Sequence, residues 1–563
     1  MDGVSVSPTG LISALPALLA MLAFAAVAVP AVGDAQQVAA ETRQEATAPN
    51  AAEHGHPLPV ITSWTSGHFR QPSSAGWRPA NQMELIEQGH HLMPWFSHPP
   101  RDGEVPADPE DFLLQYYKEP ILQAARLRLP ITFIASQWER VLSEEPYSSL
   151  PPEQNPNVID REGRIVKKVS PFGPAAPWAE AGRSYTDNPW MKQIQQWYPD
   201  PPLVIFLSNN EHAKLTWTQV ETSKRYMDLC GAGKDDDTKR RLVGDGWIER
   251  YRALQEGMRS GLTEQAWRDN ARFVGYGAFA PEFIGRWAGW TNYSLHTDDR
   301  LTPYPLMWDG SSPSYYTHDW NPSRDDTMWS PQIEFMNLVF MKDRAHDLNP
   351  DFWVEFSVWD GYDGPRREKQ YPSPRTLYRM QGQTYGPERY AGYVQFGMWL
   401  LRPRAVREYR GWTFPWEDED DWEGGGPYFV ALAEAVDSIY RSPILTEWWR
   451  HGELVPNRRH PHPYQSGIPD EYKTEDRWFL LDADVNMQEF PWEPHWPVNV
   501  YSLALVRGEA PNREWLIYSH SPHEDRPGVV LTVPEYRDIT IDVTVAGSFY
   551  VVSEHDRAVT AVE

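Results

Sequence analysis

Short apolar or aromatic runs recur along the chain, each closing on polar residues. They fall at 59–64, 91–96, 130–136, 203–209, 272–279, 314–319, 352–358 and 392–400. Between them lie stretches with helical spacing, such as 108–127, 247–270 and 331–348. Strand-like runs alternating with helical ones predict a parallel sheet. Eight such units predict a closed (β/α)8 TIM barrel. An open doubly wound sheet is the alternative, but no Gly-rich phosphate loop follows any run. Residues 428–450 read as the last barrel helix. Beyond a Pro/His-rich connector at 456–469 the pattern turns all-β, with runs at 477–481, 498–506, 514–519, 528–533, 539–546 and 549–553. The expected fold is therefore α/β, a barrel over 57–455 followed by a small C-terminal β-sandwich over 470–563.

The first 33 residues read as a signal peptide. The stretch 11–32 is almost wholly apolar, and Ala31 and Gly33 suit the −3 and −1 positions of a cleavage site. No Lys or Arg precedes Arg43, so an uncleaved N-terminal anchor stays open as the alternative. Residues 34–56, rich in Ala, Gln, Glu and Thr, read as a linker. The signal peptide makes the expected location periplasmic or secreted, and with one cysteine, Cys230, the exported protein would not rely on disulfide bridges.

Composition narrows the function. A chain of 563 residues with 41% hydrophobic and 23% charged residues is globular, not disordered. A net charge of −26 argues against nucleic acid or an anionic membrane as partner. The 27 Trp are far above the usual share, and such a load suits sugar stacking as well as core packing. No metal or cofactor is expected: His212 has no partner at ligand spacing, and His90-His91 and His460-x-His462 read as surface pairs.

Carboxylates at strand ends carry the chemistry. The fourth run reads LVIFLSNNE and closes on Asn210-Glu211, which puts a carboxylate at the barrel mouth. The seventh reads FWVEFSVWD and holds Glu355 among apolar neighbours, with Asp360 as the rival second carboxylate. An acid buried there is costly unless paired or used. Strands four and seven face one another across a barrel, and glycoside hydrolysis needs two carboxyl groups flanking the scissile bond.

In these features the chain resembles the retaining glycoside hydrolases of clan A. The resemblance spans roughly 57–450 in layout and implies a (β/α)8 barrel acting on a polysaccharide or oligosaccharide. It implies Glu211 as acid/base, Glu355 as nucleophile and Asn210 on the substrate's 2-hydroxyl. It also implies a Tyr near strand six beside the nucleophile, Tyr315 or Tyr316, and a Trp platform on strand eight, Trp399. Phe356-Ser357 after Glu355 departs from the small residue commoner in the clan. Position at strand ends adds His212, Trp64, Trp95, Trp138, Asp319 and Trp320 as sugar-binding candidates. Basic residues after strands seven and eight (Arg366, Arg367, Lys369; Arg402, Arg404, Arg407) suggest an anionic, algal-type polysaccharide. The alternative is pairing with the acidic loop at 417–423. A non-catalytic carbohydrate-binding protein on a barrel fold is the rival function. A polysaccharide lyase is a third, needing a Tyr, His or Lys base instead of two carboxylates.

Overall fold

A computed structural model describes residues 34–50, 55–64, 79–135, 137–208, 221–231, 233–275, 304–312, 339, 342–343, 345–358, 386–409, 422–456, 500–521 and 524–562. The chain opens on the helix Asp34–Thr47 and then enters β1 (Val60–Trp64), β2 (Trp95–Ser97) and β3 (Ile131–Ala135). A hairpin, β4 (Asn157–Ile159) and β5 (Ile165–Val169), interrupts the alternation. The barrel resumes with β6 (Val204–Ser208), β7 (Ala271–Gly275), β8 (Gly310–Ser311), β9 (Trp353–Val358) and β10 (Ala405–Tyr409). The eight barrel strands form one sheet in the order β1-β10-β9-β8-β7-β6-β3-β2, every pair parallel. Those of their β-branched and aromatic side chains that are described are buried on both faces, as a parallel sheet covered by helices requires.

The ring closes between β1 and the approach to β2. The Ile61 N–H donates to His91 O (2.8 Å) and the Met93 N–H to Ile61 O (2.9 Å). One residue pair further the ladder is completed by a side chain. The Gln82 amide accepts from the Trp95 N–H (2.9 Å) and donates to Trp95 O (2.8 Å), so neither buried backbone group is orphaned.

The two faces of the wall can be told apart. Phe96, Phe133, Phe206 and Phe273 stack across neighbouring strands, and Tyr117 and Trp267 of surrounding helices pack on them, so this row faces outward. Alternation then turns Val274 inward, and the register Val274↔Gly310↔Trp353 carries the inner face to Trp353, Glu355 and Ser357. Arg407 pairs in register with Ser357 and Thr62, so it points inward too. Glu408 faces out, where Tyr390 of the helix Pro387–Leu401 donates to it.

The helix Asp34–Thr47 replaces the expected linker. Val38, Ala39, Thr42, Glu45 and Ala46 are buried at helical spacing, a small-residue face that composition alone does not reveal. The segment covers the ends at which strands begin. Glu45 accepts from the Leu58 N–H (2.7 Å), Asn50 donates to Pro350 O and Phe352 O (3.0 and 3.1 Å), and Arg404 donates to Ala48 O. The N-terminal end of the barrel is thus closed. Nearby, His90 and His91 are not a surface pair: both ring Nδ1 atoms lie 2.7 Å from the buried Asp437 carboxylate.

The largest departure lies at 392–400. This run is not the eighth strand but most of the helix Pro387–Leu401, with Pro387 opening its first turn. Among its described side chains, Tyr390 and every residue from Gly392 to Leu401 are buried. Phe396 packs on Tyr501, Trp399 on Trp449 and Phe549, and the Tyr518 hydroxyl donates to Gly392 O (2.7 Å). A helix enclosed on every side shows no polar stripe, so its apolar run mimics a buried strand. The eighth barrel strand is β10. The expected helix at 428–450 is two, Trp422–Arg441 and Pro443–His451, broken where Ser442 caps the second and Pro443 lacks an N–H.

The C-terminal region is antiparallel. β11 (Glu453–Leu454), β12 (Tyr501–Arg507), β13 (Glu514–His520), β16 (Ser548–Ser553) and β17 (Val559–Val562) form one sheet; β14 (Arg526–Thr532) and β15 (Asp538–Val543) form a second. Trp515, Ile517, Leu531, Ile539 and Ile541 share one apolar cluster. Tyr501, Leu503, Leu516 and Tyr518 belong to the barrel's own core, so this region is seated on the barrel and not tethered beside it. The strand expected at 477–481 and the first 33 residues lie outside the described residues. Among the described residues no helix is long and apolar enough to cross a membrane.

Candidate active site

Glu355 is the third residue of β9, on the inner face of the wall and 1% exposed. Three neighbours hold it. Ser312, directly after β8, donates its hydroxyl to Oε2 (2.7 Å). The Trp353 indole N–H, two residues back on the same face, donates to Oε1 (2.7 Å). The Arg407 guanidinium of β10 pairs with Oε2, its Nε 3.2 Å away, and its Nη2 donates to Ser312 O (3.2 Å) as well as meeting the Ser312 hydroxyl. Strands β8, β9 and β10 therefore each contribute to one clamp around one carboxylate. With donors on both oxygens the group is an oriented acceptor.

Pattern alone does not single out Ser312, and it offers Arg407 only as a loop residue facing an anionic substrate, not as a partner of Glu355. Ser312 sits in an unremarkable Ser-Ser-Pro-Ser run, and Arg407 fell in an expected loop because the eighth strand was placed too early. Alternation of inward positions on 405–409 is the signal that finds Arg407 once that strand is set correctly.

Glu211, Asn210 and His212 lie outside the described residues, in the segment that leaves the C-terminal end of β6 at Ser208. Tyr315, Tyr316, Asp319, Trp320, Asp360, Arg366, Arg367 and Lys369 lie outside them as well. Trp64 ends β1, in register with Tyr409 of β10.

Four expected sugar contacts are placed elsewhere. Trp95 is fully buried in the wall, its backbone held by Gln82, so it is core. Trp138 is fully buried, edge-on to His98 and Tyr185 with ring centroids 4.9 Å away in both cases. Trp399 is inside the helix Pro387–Leu401 and wedged against Trp449, not a platform on a strand. Arg402 caps that helix in the left-handed region (φ 47°) and donates to Gly452 O. Because β10 begins only at Ala405, Arg402 and Arg404 lie at the closed N-terminal end, opposite the mouth.

Two titratable groups near the mouth are shaped by burial. His98, just past β2, is pushed down to about 3, because the enclosed ring cannot hold a charge. Burial pushes the Glu408 carboxyl well above the usual range, against the pull of its Tyr390 bond. Glu408 faces the helices, so it is no partner for Glu355 inside the barrel. Among the described residues no group of three His, Cys, Asp or Glu could hold a metal ion.

Comparison with known proteins finds no matching family model and no matching curated protein. Solved structures resemble the chain at low identity. An endo-β-1,4-mannanase double mutant of Cellulomonas fimi is 11% identical, with a TM-score of 0.36, over 94% of this chain and 98% of that one. An α-amylase from Lactobacillus plantarum is 10% identical, with a TM-score of 0.37, over 91% and 99%. A family 51 α-L-arabinofuranosidase from Bifidobacterium longum is 11% identical, with a TM-score of 0.27, over 84% and 87%. Likeness at this level carries no function across, so function is argued from the barrel and from Glu355.

Proposed function

We propose that the chain is an exported glycoside hydrolase cleaving polysaccharide with retention of configuration. Glu355 serves as nucleophile and Glu211, following the fourth barrel strand, as acid/base; Asn210 binds the 2-hydroxyl. The observation that carries the proposal is the clamped carboxylate. Glu355 stands on the inner face of the barrel, fixed by two hydrogen bonds, from Ser312 and Trp353, and by the ion pair with Arg407. A nucleophile must be held still and must accept, not donate, when the sugar arrives. Glu211 would protonate the leaving oxygen and then activate water. Arg407 and Ser312 act through Glu355 as positioning residues. His212, Tyr316, Asp319 and Trp320, with Trp64, remain the proposed sugar contacts, and Asp360 the alternative second carboxylate.

Arg402 and Arg404 lie at the closed end and Arg407 is engaged by Glu355, so these three give a charged substrate no support; Arg366, Arg367 and Lys369 lie outside the described residues. We therefore propose a neutral glycan in place of an anionic one.

A second reading draws on the same site. Glu355 is so completely enclosed and paired that it could be a structural partner of Arg407 in a non-catalytic carbohydrate-binding barrel. Turnover separates the two. Glu355→Gln and Glu211→Gln, assayed on plant and algal polysaccharides, should each lose roughly 10²–10⁴-fold in kcat. Wild-type binding without turnover would favour the second reading. Activity surviving in Glu355→Gln but lost in Asp360→Asn would move the nucleophile to Asp360.

A further inference from the structure

The closed end of the barrel gathers buried positive charge. Lys342 is buried and donates to Leu401 O (2.9 Å), at the end of the helix Pro387–Leu401. Arg402 follows immediately, its guanidinium 6.0 Å from the Trp449 ring centroid, donating one Nη1–H to Gly452 O. Its Nε and Nη2 are buried and have no hydrogen-bond partner among the described residues. His56 enters from the chain before β1, its N–H on Arg450 O (3.3 Å), and lies in the field of Arg402, Lys342, His346 and Arg404. His346, one turn beyond Lys342, lies 3.3 Å from Phe352 O through Nε2.

Among the described residues, few carboxylates act on these groups. Asp343 acts on Lys342, and Asp351 and Glu45 act on Arg404. Glu45 is already committed to Arg450 and the Leu58 N–H. Among the described residues no acid offsets Arg402, and burial alone pushes its guanidinium down to about 9. The same surroundings push His56 down to about 2 and His346 to about 4, so both are neutral. Enclosed guanidinium N–H groups without an acceptor are costly for a fold to hold unless a counter-charge joins them.

We propose that Lys342, Arg402 and His56 form a binding site for one small inorganic anion of the phosphate, sulfate or chloride class. Lys342 and Arg402 supply charge-assisted donors and His56 a neutral ring N–H. The anion would tie together the end of the helix Pro387–Leu401, the chain entering β1 and the helix Pro443–His451. It lies at the opposite end of the barrel from the proposed substrate site, so the two stand or fall separately.

The test is thermal denaturation of the full chain at pH 7.5 across low-millimolar phosphate, with ionic strength held by a bulky organic salt. A ligand of the folded state raises the midpoint with a saturating dependence on concentration. The wild type should show that rise. Arg402→Leu should lack it, and without phosphate should be at least as stable as the wild type, because it removes an uncompensated charge. Lys342→Met should need at least about tenfold more phosphate for the same rise, the loss of one charged contact, and it decides alone if Arg402→Leu does not fold. The proposal is overturned if phosphate, sulfate and chloride all leave the wild type without a saturating rise. It is equally overturned if wild type and variants respond alike.

Discussion

Arg407 and Glu355 are each about 1% exposed and face one another inside the barrel. Removing one member of such a pair strands the other. Arg407→Met should therefore cost about 3–5 kcal/mol in urea denaturation, and Glu355→Gln/Arg407→Met should recover much of it. If the double variant were no more stable than Arg407→Met, the pair would not be the source of the loss. Arg407→Lys keeps the charge but not the fork that reaches Oε2 and Ser312 together. Its kcat should fall by about a hundredfold with little change in KM; a rise in KM alone would make Arg407 a substrate contact.

His98 yields a prediction of a different kind. Its folded value, about 3, lies below the ordinary histidine value, so as pH falls the unfolded chain binds the proton first. The stability it contributes is complete above about pH 6.5 and drains away towards pH 3, at about 1.4 kcal/mol per pH unit. His98→Gln should show a stability–pH slope shallower by about one proton between pH 6 and 4. An unchanged slope would mean that His98 is not held neutral.

At the scale of elements, Gln82 is the part that completes the ring. It satisfies two buried backbone groups of Trp95 where β1 and β2 part. Gln82→Leu keeps the bulk but orphans both groups and should cost about 2–4 kcal/mol in urea denaturation; a loss below 0.5 kcal/mol would show that the backbone finds other partners. The helix Asp34–Thr47 makes a parallel case. A chain beginning at residue 51 should denature at a distinctly lower temperature than one beginning at residue 34. Equal midpoints would restore the linker.

These two features also show which elements could be seen in advance. β1, β3, β6 and β9 are short β-branched runs bounded by polar residues, and each was found within about two residues of where pattern placed it. The helix Pro387–Leu401 and the helix Asp34–Thr47 were not. The first is enclosed by barrel and C-terminal sheet together, so its period is hidden. The second buries Val38, Ala39 and Ala46 beside Thr42 and Glu45, a face without the large apolar residues that mark a core helix. Moving strand eight from 392–400 to β10 takes Trp399 and Arg402 off the mouth and brings Arg407 to Glu355. Glu355 itself was legible, because a carboxylate in an apolar strand stands out whatever its partners. Its clamp was not, because Ser312 and Arg407 are distant in sequence and meet only when strand order is known.

For the whole molecule, the arrangement has a direction. The closed end holds the N-terminal helix, Arg402, Arg404 and the paired histidines. β6 and β9 run toward the other end, closing on Ser208 and Val358. This polarity is what a barrel enzyme requires. The C-terminal sheets share the barrel's core through Tyr501 and Tyr518, so they brace its flank. The most direct test of a retaining glycosidase built on Glu355 is the anomeric configuration of the first-formed product, followed by ¹H NMR on a neutral polysaccharide that the enzyme cleaves. The wild type should release the anomer of the bond it cuts, and Glu355→Gly with added azide should yield the glycosyl azide of opposite configuration. Release of the inverted anomer by the wild type, or full activity in Glu355→Gly without azide, would contradict it.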